Sequence, residues 1–331
     1  MDMKSAGYWH AEDDGRVVCE LCPQGCCVAE GGIGLCGVRG VEKGQLVARG
    51  YGRVSSASND PIEKKPLYHF FPGTEVFSIG GWGCNLSCSF CQNWSISQRV
   101  EGGECSNVED IVSKALSFGS VGIAYTYNEP VVGIEFVMDC ARAAKEAGLM
   151  NILVTNGFLN SGPASDLLPL IDALNIDIKS MREEFYTNRC GGRLQPVLDF
   201  AVQSKEVGCH VEITNLLIEG ENDADTNITA LAQWVAANLG DKTPLHLSAY
   251  YPRYKLQAAP TAVRTLIRAR KVCTEMLAYV YCGNVRTDEG QNTYCAGCGT
   301  ELVSRSGYVT KTDGMSGGLC SECGCEVDFR V

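Results

Sequence analysis

The feature that most constrains the fold is a regular alternation of short apolar segments with longer amphipathic ones between about residues 75 and 285. The short segments are rich in β-branched and aromatic residues and end in polar or turn residues, which is typical of strands. The predicted strands are 76–80, 122–127, 151–156, 173–179, 210–218, 245–250 and 278–285, and the predicted helices are 108–118, 131–148, 164–170, 196–208, 225–239 and 262–276. Six alternations predict an α/β fold with a parallel sheet, either open or closed into a complete or partial barrel. The ligand site of such a fold lies at the carboxyl ends of its strands.

The two flanks of this region differ from it in composition. They are rich in Gly and Cys and poor in long periodic segments, so we expect each to fold around metal rather than around a core. The sequence therefore divides into an N-terminal Cys-rich module at 1–50, a connector at 51–72, a core at 73–290 and a C-terminal ribbon at 291–331.

Charge and hydropathy exclude two classes of partner. The chain carries 28 basic and 39 acidic residues, a formal net charge of −11, and so lacks the basic surface that nucleic acid requires. No run of about 18 apolar residues is present, and residues 1–15 are polar and acidic. We therefore expect a cytoplasmic protein without a membrane or nucleic-acid partner.

The 19 cysteines are concentrated in three groups, at 19–36, 84–91 and 295–325. Close-spaced cysteines in a long cytoplasmic chain favour metal thiolates over disulfides, since such a compartment keeps thiols reduced. Among the remaining cysteines, most read as small core residues. Cys190 precedes two glycines after the fourth predicted strand, and it could instead reach the site as a thiol donor.

The middle group, Cys84-x3-Cys88-x2-Cys91, follows the first predicted strand directly. Three thiolates on one short loop can hold three irons of a [4Fe–4S] cluster and leave the fourth iron open to a ligand that is not protein. A zinc loop is the alternative. Because structural zinc takes four protein ligands, we favour the cluster.

The two terminal groups also have the spacing of metal ligands. Cys19, Cys22, Cys26 and Cys36 supply four thiolates, for which zinc is the first interpretation and an auxiliary iron–sulfur cluster the second. The second group, which has the two-knuckle pattern of a zinc ribbon, consists of Cys295, Cys298, Cys320 and Cys323, with Cys325 as a possible substitute for Cys323.

Several motifs resemble those of the radical S-adenosylmethionine (SAM) enzymes, in the branch of pyruvate formate-lyase activating enzyme. More narrowly, residues 16–310 resemble the radical SAM member of the AmmeMemoRadiSam system. The motifs are Cys19-Glu-Leu-Cys22-Pro, the Cys84 loop with Gln92-Asn-Trp94, Tyr125-Thr-Tyr-Asn-Glu129-Pro130, Thr155-Asn-Gly157, Asn175-Ile-Asp-Ile-Lys179 and Asn292-Thr-Tyr-Cys295. The resemblance implies a partial (βα)6 TIM-like barrel and an oxidoreductase whose [4Fe–4S] cluster binds SAM and reduces its sulfonium. The resulting 5′-deoxyadenosyl radical takes a hydrogen atom from substrate.

The resemblance also implies roles for residues at the strand ends. Asn128 and Glu129 stand where the family has a Gly-Gly-Glu-like motif for the SAM amine, with a helix-capping turn as the alternative. Thr155 and Asn156 are candidates for contacts to SAM, and a plain turn is the alternative. Asp177 and Lys179 are the candidates for catalysis, Asp177 also for SAM binding. Their i, i+2 spacing places both on one face, so a structural ion pair is the alternative. His246 and Tyr250, at the sixth predicted strand, are further candidates for the cavity wall, and a satisfied core histidine is the alternative for His246.

Substrate and partners are left open by the sequence. The activating-enzyme resemblance implies a protein or peptide substrate, whereas Memo-like and AMMECR-like partners would suit a small-molecule or peptide modification. A flavodoxin or ferredoxin is the expected one-electron donor. The rival interpretations are a scaffold with purely structural metal sites and a redox relay. Neither rival requires SAM cleavage.

Overall fold

A computed structural model describes residues 4–100, 102 and 104–331 and is built around one eight-stranded sheet. Ahead of it, the chain forms short antiparallel strands, namely β1 (Trp9–Ala11), β2 (Val17–Cys19), β3 (Cys27–Val28), β4 (Arg39–Glu42), β5 (Gln45–Ala48) and β6 (Arg53–Val54). The next strands are β7 (Ser56–Pro61), β8 (Glu75–Gly80), β9 (Glu104–Cys105), β10 (Gly122–Tyr125), β11 (Met150–Thr155), β12 (Ala173–Asp177), β13 (His210–Leu217), β14 (Leu245–Ala249) and β15 (Val280–Gly283).

The central sheet has the order β15-β14-β13-β12-β11-β10-β8-β7, in which β8 and β10 to β15 are parallel. The helices are α1 (Trp94–Ser97), α2 (Val108–Ser117), α3 (Ile134–Glu146), α4 (Ser161–Leu167), α5 (Glu183–Phe185), α6 (Gln195–Glu206), α7 (Asp225–Asn238) and α8 (Val263–Cys273). Six strand–helix units followed by a seventh parallel strand confirm the predicted α/β architecture. Because the order ends at β7 and β15, the sheet is open, as in a partial barrel.

Local sequence accounts for the helix boundaries. Asn107 caps α2, with its side chain accepting from the amide of Asp110 at 2.7 Å. Gly148 follows α3 with φ +76° and supplies the left-handed residue that stops a helix. The third predicted helix starts after Pro163, but the corresponding α4 begins at Ser161, because proline is tolerated in a first turn.

Residues 51–72 are not a connector. Strand β7 pairs antiparallel with β8 over six residues and forms the edge of the central sheet, and a 3-10 helix at Ile62–Lys64 follows it. The polar composition of β7 fits an edge strand, since one side of it faces away from the sheet, and this hides it from an apolar pattern search.

The N-terminal module shares the central core, contrary to the expectation that it folds around metal alone. Val17, Leu21, Val41 and Leu46 are buried in the same apolar cluster as the sheet and its helices. Burying each of these four apolar side chains stabilises the fold by about 1.5–3 kcal/mol. Residues 1–3 of the module lie outside the described residues.

The C-terminal ribbon packs against the amino ends of the parallel strands. Its strands are β16 (Thr293–Tyr294), β17 (Glu301–Ser306), β18 (Val309–Lys311), β19 (Met315–Ser316) and β20 (Leu319–Cys320). Phe329 stacks on His69 with ring centroids 4.3 Å apart, and the Arg305 guanidinium lies 4.1 Å from the ring centroid of Tyr68. In the part of the chain that the structure describes, no helix has both the length and the hydropathy to cross a membrane.

A buried carboxylate organises the same end of the sheet. Glu212 is fully buried and accepts hydrogen bonds from His246 Nε2 at 2.6 Å and His210 Nε2 at 2.9 Å. It also accepts from the backbone amides of Tyr68 and His69, at 3.0 and 2.7 Å. His246 is therefore a satisfied core residue.

Replacing Glu212 by Gln should destabilise the protein by about 3 kcal/mol, since the Gln amide group cannot accept hydrogen bonds from all four donors that the carboxylate satisfies. Burial alone would raise the pKa of Glu212, but hydrogen bonds from His210 and His246 outweigh it and hold that pKa well below its ordinary value. This stability is complete above the unfolded pKa of about 4.3 and is lost as the pH falls below it. Urea denaturation should therefore show a smaller difference between the two proteins at about pH 3 than at neutral pH.

Glu206→Gln at the exposed end of α6 is the matched control and should leave the unfolding free energy unchanged. Equal stability of Glu212→Gln and the parent protein at neutral pH would show that the pair contributes nothing net.

Candidate functional site

A cavity of about 500 Å³ opens at the carboxyl ends of the parallel strands. The loop after β8 contributes all three cysteines of the middle group, and side chains at or near the ends of β10 to β14 complete the wall. This is the edge at which a parallel α/β sheet binds its ligands. The structure thus brings together the predicted site residues Cys84, Cys88, Cys91, Asn128, Glu129, Thr155, Asn156, Asp177 and Lys179.

The cysteine loop is held by close backbone packing. Gly83 has φ +82°, and a Cβ atom there would lie 2.1 Å from the carbonyl oxygen of Cys36. Only glycine fits this position. The adjacent Cys84 Sγ accepts hydrogen bonds from the amide of Leu86 at 3.4 Å and from Asn156 Nδ2 at 3.6 Å.

The three sulfurs are spread around the cavity. Within the described residues, Cys295, Cys298, Cys320 and Cys323 form the only group of three or more Cys, His, Asp or Glu whose ligand atoms all lie within 4.8 Å of one another. A single zinc ion with Zn–S bonds of about 2.3 Å brings its sulfurs to about 3.8 Å. The sulfurs of a four-iron cluster stand farther apart because each binds a different iron. The cysteines of the loop therefore suit a cluster better than one ion.

Glu129 joins the ends of β10 and β11. Its carboxylate accepts from Thr155 Oγ1 at 2.7 Å, from the amide of Asn156 at 2.8 Å and from the amide of Val131 at 3.2 Å. The last bond caps the 3-10 helix at Pro130–Gly133, so the capping interpretation is correct as far as it goes. The carboxylate also lines the cavity, and burial raises the pKa of Glu129 to about 7. A cation in the cavity would favour its ionised form.

The two residues before Glu129 shape the backbone. Tyr127 has φ +70°, a left-handed conformation that favours glycine. The Asn128 Oδ1 accepts from the amide of Gly81 at 2.9 Å, and its Nδ2 donates to the carbonyl of Gly83 at 3.0 Å. Asn128 therefore uses its side-chain amide to hold the cysteine loop.

Asn156 connects the third parallel strand to the same loop. Besides its bond to Cys84, its Nδ2 donates to Asn85 Oδ1 at 2.9 Å, and its Oδ1 accepts from the amide of Phe158 at 2.8 Å. Gly157 between them has φ +67° and permits this sharp exit from β11. The predicted Thr155-Asn156-Gly157 turn thus positions two side chains at the cavity.

Asp177 and Lys179 form an ion pair inside the cavity, with Lys179 Nζ 3.0 Å from Asp177 Oδ2. Burial alone would lower the pKa of Lys179, but the charge of Asp177, together with Cys88 and Cys190 in their thiolate forms, outweighs burial and raises that pKa well above its ordinary value. The pair presents one cation and one anion on the same wall, as the i, i+2 spacing indicates.

The cavity wall contains a second charged group that the sequence pattern does not reveal. Lys65 is buried and donates to Asp60 Oδ2 at 2.6 Å, and the hydroxyl of Tyr127 donates to the same carboxylate. Lys64, Lys65 and Tyr127 line the cavity. Recognition of β7 as an edge strand would have placed this group beside the site.

Two residues predicted to line the cavity, His246 and Tyr250, are absent from its described lining. The Tyr250 hydroxyl instead donates to the carbonyl of Leu256 at 2.7 Å.

Cys190 contacts the cysteine loop through its backbone. Its side chain is buried, and the Cys190 carbonyl accepts from the amide of Ser87 at 2.7 Å. It is not among the described residues that line the cavity. Its place is therefore in the support of the loop.

Cys19, Cys22, Cys26 and Cys36 line a second, smaller cavity on the far side of Gly83. No three of these four sulfurs satisfy the 4.8 Å spacing. Cys19 ends β2, Cys22 and Cys26 lie between β2 and β3, and Cys36 lies before β4, so the four sulfurs surround a wider space than the ribbon sulfurs do.

The C-terminal group has the opposite geometry. Cys295 Sγ lies 3.7 Å from Cys323 Sγ, and Cys298 Sγ lies 3.7 Å from Cys320 Sγ. These distances match a tetrahedral thiolate site. The group that satisfies the spacing includes Cys323 and leaves Cys325 out. These four thiols could hold one metal ion.

Comparison with known proteins agrees with this geometry. The family model "Radical SAM superfamily" matches residues 79–232. The Methanocaldococcus jannaschii protein named "Uncharacterized protein MJ0808" is 41% identical over 335 residues, 99% of each chain. Pyruvate formate-lyase 1-activating enzyme of Escherichia coli K12 is 27% identical over 177 residues, 51% of this chain and 71% of that protein. A radical SAM methyltransferase from Sphaerobacter thermophilus superimposes with a TM-score of 0.49 at 18% identity, over 65% of this chain and 68% of that one.

The matched segment begins within β8 and runs through α6 and β13 into α7, so it contains the cysteine loop and the strand ends that carry Glu129, Asn156 and Asp177. The family implies a [4Fe–4S] cluster and SAM, and the three thiols around the main cavity are the donor set that such a cluster uses. Residues 79–232 of this chain therefore form a radical SAM domain.

Proposed function

We propose that this chain is an enzyme that reductively cleaves SAM at a [4Fe–4S] cluster held by Cys84, Cys88 and Cys91. When bound there, the cluster would supply one electron to the sulfonium of SAM, which breaks the C5′–S bond and releases methionine. The 5′-deoxyadenosyl radical so formed would take a hydrogen atom from a protein or peptide substrate. One observation carries the proposal: the three thiols share one cavity with Glu129 and with the Asp177–Lys179 pair. A scaffold with structural metal sites would have no need of these strand-end groups.

The chain's own residues divide the work between the loop and the strand ends. Three thiolates hold three irons and leave the fourth without a protein ligand. Asn156 Nδ2 donates to Cys84 Sγ and so stabilises the thiolate form and its orientation.

Glu129 is the acceptor for the SAM amine. A carboxylate–ammonium hydrogen bond is about twice as strong as a neutral one, and the low polarity around the buried Glu129 strengthens it further. Thr155 and the amide of Asn156 orient the carboxylate toward the cavity, and Asn128 keeps the loop in place. Asp177 and Lys179 act at the wall beyond Cys88, where they contact SAM and the reacting part of the substrate.

A protein or peptide substrate is supported by the relative named pyruvate formate-lyase 1-activating enzyme. Memo-like and AMMECR-like proteins are the first candidates for partners, and flavodoxin or ferredoxin is the electron donor, in the cytoplasm. Incubation with deuterium-labelled candidates, followed by mass spectrometry of 5′-deoxyadenosine, identifies the substrate. Deuterium from a labelled small molecule, with none from any protein, would overturn the substrate class.

The metal of the C-terminal ribbon is zinc in this proposal. Four thiolates close the coordination shell, and the ribbon lies at the amino ends of the strands, away from the cavity. It therefore stabilises the chain without contacting SAM.

Simultaneous replacement of Cys84, Cys88 and Cys91 by Ala should remove about four irons per chain and abolish SAM cleavage, because no other thiols line the main cavity in the described part of the chain. Iron analysis and chromatography of 5′-deoxyadenosine check both effects. Cys105→Ala changes an exposed cysteine away from the cavity and should change neither. Unchanged iron in the triple variant would contradict the assignment.

Glu129→Gln keeps the shape of the side chain but removes its charge, and it should weaken SAM binding by about 1.5–3 kcal/mol. Cluster content should stay the same, because Glu129 donates no ligand to iron. SAM dissociation constants are measured for the parent, for Glu129→Gln and for the exposed control Glu146→Gln. If all three agree, Glu129 only caps its helix.

Cys295→Ser should release about one zinc per chain and loosen residues 291–331, since such a module owes its fold to the metal. Cleavage of SAM by the core should continue near the parent rate. Zinc analysis and hydrogen exchange report the first effect and 5′-deoxyadenosine the second. Cys325→Ser is the matched control and should retain zinc, and loss of iron from Cys295→Ser would disprove the zinc assignment.

A further inference from the structure

The four N-terminal cysteines converge on one cavity. Cys19 ends β2, and its amide donates to the carbonyl of Cys26 at 2.9 Å, which closes the turn that carries Cys22. Cys36 comes from the next loop, where a Cβ at Gly34 would be in ordinary van der Waals contact with Cys26 Sγ, at 3.6 Å. All four cysteines line the cavity. We propose that they hold a second [4Fe–4S] cluster.

The spacing of the sulfurs distinguishes this site from a zinc site in the same molecule. The ribbon sulfurs approach to 3.7 Å and form a group within 4.8 Å, whereas no three of the N-terminal sulfurs do so. The sulfurs of Cys84, Cys88 and Cys91 likewise do not all lie within 4.8 Å of one another. A site that must contact four irons at four corners needs this wider placement.

Arg39, a buried cation that lacks one hydrogen-bond partner, also favours an anionic iron–sulfur cluster in this cavity. Arg39 is 2% exposed and lines the cavity. Its Nη1 donates to both oxygens of Glu135 at 2.9 Å and its Nη2 to the carbonyl of Gly7 at 2.6 Å. Its Nε is buried and has no hydrogen-bond partner among the described residues. A buried N–H without an acceptor is unfavourable, and cluster or thiolate sulfur beside it would supply one.

The site packs directly against the loop of the first cluster. The carbonyl of Cys36 lies against Gly83, and Gln24 Nε2 donates to the carbonyl of Asn85 at 2.8 Å. Asn85 lines the N-terminal cavity and is the neighbour of Cys84 in sequence. On the outer side, Leu35 is 73% exposed. The second cluster thus lies between solvent and the catalytic loop.

Four protein thiolates leave no iron open, so this cluster binds no SAM and serves to carry electrons. A reduced flavodoxin- or ferredoxin-type donor loses one electron and the second cluster gains it. The second cluster then passes that electron to the cluster at Cys84 and returns to its oxidised state. This route rests on the proposed function, whereas the site itself does not.

The test uses the full chain with Cys84, Cys88 and Cys91 all replaced by Ala, reconstituted anaerobically with iron and sulfide. This variant leaves the N-terminal residues intact and should retain about four irons and about one zinc per chain, compared with about eight irons and one zinc in the parent. It should take up one electron from dithionite where the parent takes up two. Its electron paramagnetic resonance signal should be unchanged by SAM. Cys27→Ala, at an exposed cysteine outside the cavity lining, should keep all the irons.

Other metal contents would overturn the inference. A triple variant with two zincs and no iron would make the N-terminal group a zinc site, and one zinc with no iron would leave it without metal. A signal that changes with SAM would show an open iron and so contradict the four-ligand assignment. If the parent binds eight irons but cleaves no SAM, the proposed function fails while the second cluster stands.

Discussion

The carboxylate of Glu129 is the interaction on which the site depends. It collects three hydrogen bonds from Thr155, Asn156 and Val131, and so fixes the ends of two adjacent parallel strands relative to each other. Asn156, held in this way, reaches the sulfur of Cys84. Without an acceptor at this point, the donors of the two strand ends would be buried without partners, which is costly in a medium of low polarity. One side chain thus couples the sheet to the cysteine loop.

The alternation of strands and helices was predictable because buried parallel strands are apolar throughout and their helices have a clear periodic face. Strand β7 escaped prediction for the complementary reason. It is an edge strand with an exposed, polar pattern, and its partner β8 supplies the apolar contacts. The Asp60–Lys65 pair in the cavity wall was missed together with it. A backbone property was equally hidden: nothing in the residue type of Tyr127 indicates a positive φ, which the surrounding structure imposes.

Cysteine spacing along the chain and the distance between sulfurs in space carry different information. The pattern at 295–323 predicted a compact group, since each knuckle is a tight turn that brings its own two sulfurs together. The pattern at 19–36 favoured the same interpretation. There, however, two separate loops carry the ligands, and packing of the module onto the central core keeps the loops apart. Tertiary packing, which the sequence does not display, decides how many metal atoms such a group can enclose.

Gly83 has an evolutionary consequence. Because Gly83 has no Cβ, the carbonyl of Cys36 can lie directly against it. The sequences of the N-terminal module and the cysteine loop therefore cannot change independently at this contact. A substitution at Gly83 would have to be accompanied by a change in the path of the chain around Cys36, and a lineage that discards the module is released from the restriction. Among descendants of a common ancestor, those that keep the module should keep glycine at position 83. Those that have lost the module should accept other residues there.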